Sequence, residues 1–167
     1  VVSALNRGEI EAASGISPEN ITSLQGATVA TAPLNRVFAV FFNQNQSELL
    51  RDSAVRAALA NSVDRADMVQ SVLGGYGTPL TSPVPPSISP VAQTISATST
   101  NDLALASRAT LLKAGWVAGT DGILTKQSGA GKTAKTTRLT FDIATANVPE
   151  LRAAAEYLRT TWGRVGV

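Results

Sequence analysis

The chain has 167 residues, of which 44% are hydrophobic and 16% are charged. Because a domain of about 150 residues buries roughly 68–70% of its unfolded surface, this composition supports a core without disulfide or metal staples. The absence of cysteine and histidine excludes thiol nucleophiles, disulfides, Ser-His-Asp catalysis and histidine-rich zinc or nickel sites. The net charge of +2 is too small to favour nucleic acid as a partner.

Neither a membrane span nor an export signal is predicted. The sequence contains no run of about 18 apolar residues, the length a spanning helix needs. Val1 begins in the middle of a pattern, without the charged start and cleavage site of a signal peptide. We therefore expect a mature piece or an excised fragment of a longer protein.

The first third of the chain predicts a short helix and a buried strand. Ser17 is a good N-cap and Pro18 suits the first helical position, so a helix is expected to run to about Leu24. The segment 37–42 is apolar on both faces, which predicts an inner strand covered on both sides. One face carries Val37, Ala39 and Phe41, and the other carries Phe38, Val40 and Phe42.

Residues 51–75 predict a helix that breaks once. Asp52 is placed to cap its start, and Gly74 opens the Gly-Gly pair that ends it. Asp64 and Asp67 resemble a capping box, so the helix is expected to stop and restart there. An apolar stripe at spacings of four and three comprises Val55, Leu59, Val63 and Ala66.

Segment 76–101 predicts a long irregular loop. It is rich in Ser and Thr and contains five prolines, which favour extended or turn conformations over a regular helix. A loop of this length in a compact domain is usually functional or mobile.

A second uninterrupted helix is predicted from residue 102. Asp102 is placed as its cap and Gly115 as the residue just past its end. Trp116 is expected to fold back on Leu111 or Leu112, as the residue after such a glycine commonly does.

Two strands and a final helix close the chain. Residues 123–126 and 138–145 are predicted strands, and alternation gives the second one a single buried face. That face carries Leu139, Phe141 and Ile143. Asn147 and Glu150 are placed as a capping box for the last helix, whose inner face carries Leu151, Ala154, Ala155, Leu158 and Trp162.

The stretch "KQSGAGKTAK", residues 126–135, resembles a phosphate-binding loop but fails the requirements of one. That loop needs G-x-x-x-x-G-K-[ST] between a strand and a helix. With residues 131–133 as its end, the first glycine belongs at position 126, which is Lys126, and Gly129 is too close to replace it. A strand pattern follows instead of a helix, so no helix N-terminus faces a phosphate. We predict an exposed, mobile hairpin tip that tolerates substitution.

No catalytic constellation emerges from the carboxylates. Glu9 and Glu11 are two residues apart and share a face if the segment is extended, but a polar strand face explains them far better than an acid/base pair. Asp64 and Asp67 are explained as capping residues. The sequence predicts no enzyme, no cofactor and no metal site.

The order of these segments resembles the extracellular solute-binding proteins of family 5, which serve ABC importers for dipeptides, oligopeptides and nickel. The stretch "LRDSAVRAALANSVDRADMVQSVLGGYGTPLTSPVPPS" is the most specific part. The residues that carry this match are Val55, Arg56, Ala58, Leu59, Asp64, Arg65, Val69, Gly75, Gly77, Pro79, Pro83, Pro85 and Pro86. "RVFAVFFN", "LLKAGW" with "DGI", and "LTFDIATANVPELRAAAEYLRTTWGRVGV" resemble further family segments.

The resemblance implies an α/β chain forming most of the C-terminal lobe of a two-lobed binding protein. Its fold would be periplasmic-binding-protein-like type II, with a mixed sheet flanked by helices and residues 1–167 as one domain that closes by hinge motion. The implied partners are a peptide or similar small solute and an importer permease. The implied location of the full-length protein is periplasmic or extracellular. The resemblance also implies a lipoprotein, whose membrane anchor would lie outside this chain.

Three residues are candidates for ligand binding: Asn43 and Gln44 after the aromatic strand, and Tyr76 in the Gly-rich turn. Extended peptides are held by main-chain hydrogen bonds and side-chain pockets, and a tyrosine offers both stacking and a hydroxyl. Ordinary loop residues remain the alternative for each. Two other functions stay open, a stand-alone interaction module without a small ligand and, less favoured, a nucleotide-binding enzyme.

Overall fold

The computed structural model describes residues 1–32, 34, 36–84, 99–129 and 134–167. Pro85 and Pro86, most of the predicted loop 76–101 and the predicted hairpin tip around 130–133 lie outside the described residues. The described part contains helices and a small antiparallel sheet. The helices are α1 (Val2–Asn6), α2 (Pro18–Ile21), α3 (Glu48–Arg51), α4 (Ser53–Asn61), α5 (Arg65–Leu73), α6 (Thr100–Lys113) and α7 (Pro149–Val165). The strands are β1 (Val117–Ala118), β2 (Leu124–Ser128) and β3 (Lys135–Arg138).

Helices α4 and α5 confirm the predicted break and caps. The Asp52 carboxylate accepts a hydrogen bond from the Ala54 N–H at 2.9 Å. The Asp64 carboxylate accepts from the N–H groups of Ala66 and Asp67 at 3.0 and 3.1 Å, which satisfies donors that have no partner inside the helix. Gly74 ends α5 in the left-handed conformation, with φ of 56°.

The break between α4 and α5 changes the predicted apolar stripe. Val55 and Leu59 are fully buried and Val63 is half-buried, whereas Ala66 is exposed. A stripe continues only along an unbroken helix. The buried stripe therefore ends after Val63, in the break between α4 and α5.

Helix α6 is capped by Ser99 rather than by Asp102. Ser99 Oγ accepts from the Asp102 N–H at 3.2 Å and donates to Asp102 Oδ2 at 2.6 Å, so Asp102 takes the third position of a reciprocal cap. At the other end, Trp116 N–H donates to the Leu111 carbonyl at 3.1 Å across Gly115, whose φ is 89°. The predicted helix end with its fold-back of Trp116 is confirmed.

The final helix α7 begins at Pro149 with Val148 as its N-cap, and no side chain caps it. The predicted capping box of Asn147 and Glu150 is therefore wrong, because the helix starts one residue later than that box requires. The predicted inner face is confirmed. Its residues Leu151, Ala154 and Ala155 are half-buried, and Leu158 and Trp162 are buried.

The sheet has the order β1-β2-β3 and is antiparallel between both pairs of neighbours. Thr125 pairs with Arg138 and Ser128 with Lys135, which makes β2 and β3 the two arms of a hairpin. The predicted strand 138–145 is not found with those bounds, because strand pairing ends at Arg138. Its alternation still holds, because Leu139 is buried and Phe141 is half-buried while Thr140 is exposed.

One hydrophobic core joins the helices to the sheet. Helix α4 packs on α6 and α7, and α5 packs on α7. The buried apolar residues are Leu50, Val55, Ala58, Leu59, Ala104, Leu111, Trp116, Leu124, Leu139, Leu158, Trp162 and Val165. The α/β class is confirmed at this coarse level. Within the described ranges, no helix combines the length and hydropathy needed to cross a bilayer.

The prediction that residues 37–42 form a paired and buried inner strand is wrong. No strand is assigned there, and Phe41 is 90% exposed. Phe42 is the exception, with its ring centroid 6.3 Å from that of Trp162. A strand needs a neighbour for its N–H and C=O groups, and the described residues supply none to this segment. The segment is therefore largely exposed at the surface, and Phe42 packs against the core.

Candidate functional site

The predicted ligand residues Asn43 and Gln44 lie in the turn before α3. Asn43 Oδ1 accepts from the N–H groups of Asn45 and Gln46, both at 3.2 Å, so this side chain holds the turn itself. The Gln44 carbonyl accepts from Arg51 Nε at 2.9 Å. The Gln44 side chain is exposed, and no described residue hydrogen-bonds its amide.

Tyr76 follows α5 and is 47% exposed. Its N–H donates to the Leu73 carbonyl at 2.9 Å. Its ring lies beside Gly74, where an added Cβ would be 3.8 Å from Tyr76 Cδ2 and 2.9 Å from Pro18 Cβ. Glycine at position 74 thus allows α2 and Tyr76 to approach the end of α5 closely. No described residue hydrogen-bonds the Tyr76 hydroxyl.

Within the described ranges, no hydrogen bond joins the turn at Asn43 to Tyr76. The acidic pair considered near the start of the chain is also not assembled. Glu9 forms an ion pair with Arg7 at 2.6 Å, and this hydrogen bond lowers the pKa of the Glu9 carboxyl. Glu11 is exposed. The described residues contain no group of three His, Cys, Asp or Glu side chains placed to hold a metal.

A cleft that the sequence did not indicate lies between α5, the start of α6, and α7. We call it the α5–α7 cleft; its volume is about 210 Å³. The lining residues are Asp67, Thr100, Glu156, Tyr157, Thr160, Thr161 and Arg164. On α7 the spacing of 157, 160, 161 and 164 places four of them on one face. This spacing can be read from the sequence and could have indicated one wall of the cleft. It gives no information about the opposite wall.

The wall opposite α7 is built around Asp67. Tyr157 donates its hydroxyl to Asp67 Oδ2 at 2.7 Å, and Thr100 Oγ1 donates to the same oxygen at 3.4 Å. Burial raises the pKa of the Tyr157 phenol well above its ordinary value, and the hydrogen bond to Asp67 raises it further. The phenol therefore stays protonated and keeps donating at neutral pH.

Lys126, the residue that breaks the phosphate-loop pattern, has a structural contact instead. Its Nζ lies 3.2 Å from Asp52 Oδ2 and 5.7 Å from the centroid of the Trp116 ring. The ion pair and the cation–π contact tie β2 to the start of α4 and the end of α6. A second ion pair, from Lys135 Nζ to Glu48 Oε2 at 3.3 Å, ties the hairpin to α3.

The Asp52 carboxylate makes stability depend on pH in the acid range. Its partial burial acts to raise the pKa, but the hydrogen bond from the Ala54 N–H and the contact with Lys126 outweigh it and lower the pKa. Because the folded pKa lies below the unfolded one, this stabilisation is complete above the unfolded pKa. It is lost as pH falls through the folded pKa.

Asp52→Asn tests this linkage, since asparagine also caps helices but carries no charge. We expect the wild type to be more stable than the variant at pH 7 by about 1 kcal/mol or less, because the pair is partly exposed. The difference, measured as the free energy of unfolding in urea, should shrink as pH falls below the unfolded pKa of about 3.9 and through the lowered folded pKa. Asp142→Asn, at an exposed position, is the control. A wild-type advantage that stays constant from pH 7 to acid would contradict the account.

Comparison with protein families identifies the chain. The profile described as bacterial extracellular solute-binding proteins, family 5 Middle, matches residues 1–167. The chain therefore belongs to the family 5 extracellular solute-binding proteins. Comparisons with curated proteins and with solved structures gave no match.

Proposed function

We propose that this chain is one lobe of a substrate-binding component of an ABC importer, which binds peptides or a similar small solute between two lobes. The observation that carries the proposal is the family match over residues 1–167. The lobe would have the type II periplasmic-binding-protein-like fold and would act in the periplasm or at the cell surface. Its role would be to bind and deliver, without catalysis.

The binding surface we propose comprises the turn at Asn43 and Gln44 together with Tyr76. Asn43 would act as a positioning residue, because its side-chain oxygen is occupied by the N–H groups of Asn45 and Gln46. Gln44 and Tyr76 would touch the ligand, since the Gln44 side chain is exposed and the Tyr76 ring is half-exposed. An amide and a phenol match the main-chain groups of an extended peptide.

Calorimetric titration of the full-length protein with a peptide it binds tests these residues. Gln44→Ala and Tyr76→Ala are each expected to weaken binding by about fivefold to tenfold, the effect of one lost hydrogen bond. Gln127→Ala, an exposed glutamine on β2, is the matched control and should leave affinity unchanged. Equal affinities for all four proteins would remove these residues from the site.

A further inference from the structure

The α5–α7 cleft contains polar groups that the fold itself does not use. Thr161 is only 2% exposed, yet its hydroxyl has no hydrogen-bond partner among the described residues. Among the described residues the fully enclosed side-chain atom without a partner is Trp116 Nε1, not the Thr161 hydroxyl, so this hydroxyl opens onto the cleft and can bond to a molecule there. Thr160, on the same wall, likewise makes no side-chain hydrogen bond to a described residue.

The charges in the cleft are separated rather than paired. Arg164 is exposed and forms no ion pair within 4.0 Å in the described part of the chain, although Asp67 lines the same cleft. Glu156, the other acid there, is paired with Arg159 on α7. One free cation and one carboxylate therefore face a shared space from α7 and α5.

The size of the cleft limits what fits. Its volume of about 210 Å³ lies below the roughly 300–1,000 Å³ typical of pockets for drug-sized ligands. A guanidinium with neighbouring hydroxyls suits a carboxylate, and a carboxylate on the opposite wall suits an ammonium group.

We propose that the α5–α7 cleft binds a small zwitterion of the size of a free α-amino acid. The ligand carboxylate contacts Arg164 and the hydroxyl of Thr161, and the ligand ammonium group contacts Asp67. Asp67 keeps its hydrogen bond from Tyr157 while it binds, because a carboxylate accepts several hydrogen bonds. This site is separate from the turn at Asn43 and from Tyr76, and the inference does not rest on the proposed function.

Titration of the isotope-labelled 167-residue chain with glycine, followed by amide NMR, tests the proposal. We expect saturable shifts in residues 157–164, with acetate and methylammonium each binding at least about tenfold more weakly because each lacks one charged contact. Glycine without saturable shifts in that segment would overturn the proposal. Acetate binding as tightly as glycine would also overturn it, because the cleft would then be an anion site only.

Variants assign the two contacts. Arg164→Gln and Asp67→Asn should each weaken glycine binding by about tenfold or more. The Arg164 side chain is exposed and makes no hydrogen bond or ion pair to a described residue, so this variant keeps the test valid if Asp67→Asn loosens α5. Arg152→Gln, an exposed arginine on α7 outside the cleft, is the matched control. Unchanged affinity in Arg164→Gln would contradict the assignment.

Discussion

Trp162→Ala is expected to lower the free energy of unfolding by about 3–5 kcal/mol, the cost of truncating a buried large aromatic residue. Trp162 is 3% exposed and lies at the centre of the core. Its ring centroid is 5.6 Å from that of Phe141, and its Nε1–H donates to the Leu59 carbonyl at 3.1 Å. Because a typical domain has only about 5–15 kcal/mol of stability, the variant should be largely unfolded in moderate urea.

The adjacent phenylalanines of the surface segment supply the control. Phe42 packs against Trp162, whereas Phe41 is 90% exposed. Phe41→Ala should therefore change the free energy of unfolding by less than about 0.5 kcal/mol. Urea unfolding followed by circular dichroism measures both variants. A loss in Phe41→Ala comparable to that in Trp162→Ala would mean that the segment is buried in solution.

Gly166→Ala is expected to cost at least about 2 kcal/mol, from backbone strain and overpacking together. Gly166 ends α7 with φ of 108°, a conformation that residues with a Cβ rarely adopt. An added Cβ would lie 2.7 Å from Leu124 Cγ and 2.7 Å from Arg108 Nη1. The backbone there is also fixed, because Leu124 N–H donates to the Gly166 carbonyl at 2.7 Å.

Gly163, one turn earlier in the same helix, gives the matched control. Its replacement by alanine is expected to change the free energy of unfolding in the opposite direction. An added Cβ there meets nothing within 4 Å. Gly163→Ala should therefore stabilise the chain by about 0.5–1 kcal/mol, the usual advantage of alanine over glycine in a helix. The two variants are compared by their urea midpoints. Gly166→Ala as stable as Gly163→Ala would show that the helix end is not held as described.

Local features were predictable from the sequence because they depend on residues a few positions apart. The caps by Asp52 and Asp64 and the helix end at Gly74 each follow from one side chain and its near neighbours. The cap of α6 shows the limit of such reasoning. Ser99 and Asp102 both suit the role, and the structure uses them together, with Ser99 at the cap position.

Features that depend on distant residues were not predictable. The apolar alternation of 37–42 has the composition of a strand, but a strand also needs a neighbour that the segment itself cannot reveal. The α5–α7 cleft joins Asp67 to Tyr157, which are 90 positions apart. The spacing on α7 could have indicated one wall of the cleft, but nothing in the sequence pointed to the other.

The most direct test of the proposed transport role is a thermal-shift screen of the full-length protein against a library of short peptides. The account predicts that at least one peptide class raises the melting temperature in a concentration-dependent way, because a ligand that binds the native state stabilises it by mass action. ATP with Mg²⁺ should cause no shift. The proposed function would be contradicted if no peptide stabilised the full-length protein. It would also be contradicted if ATP with Mg²⁺ stabilised it.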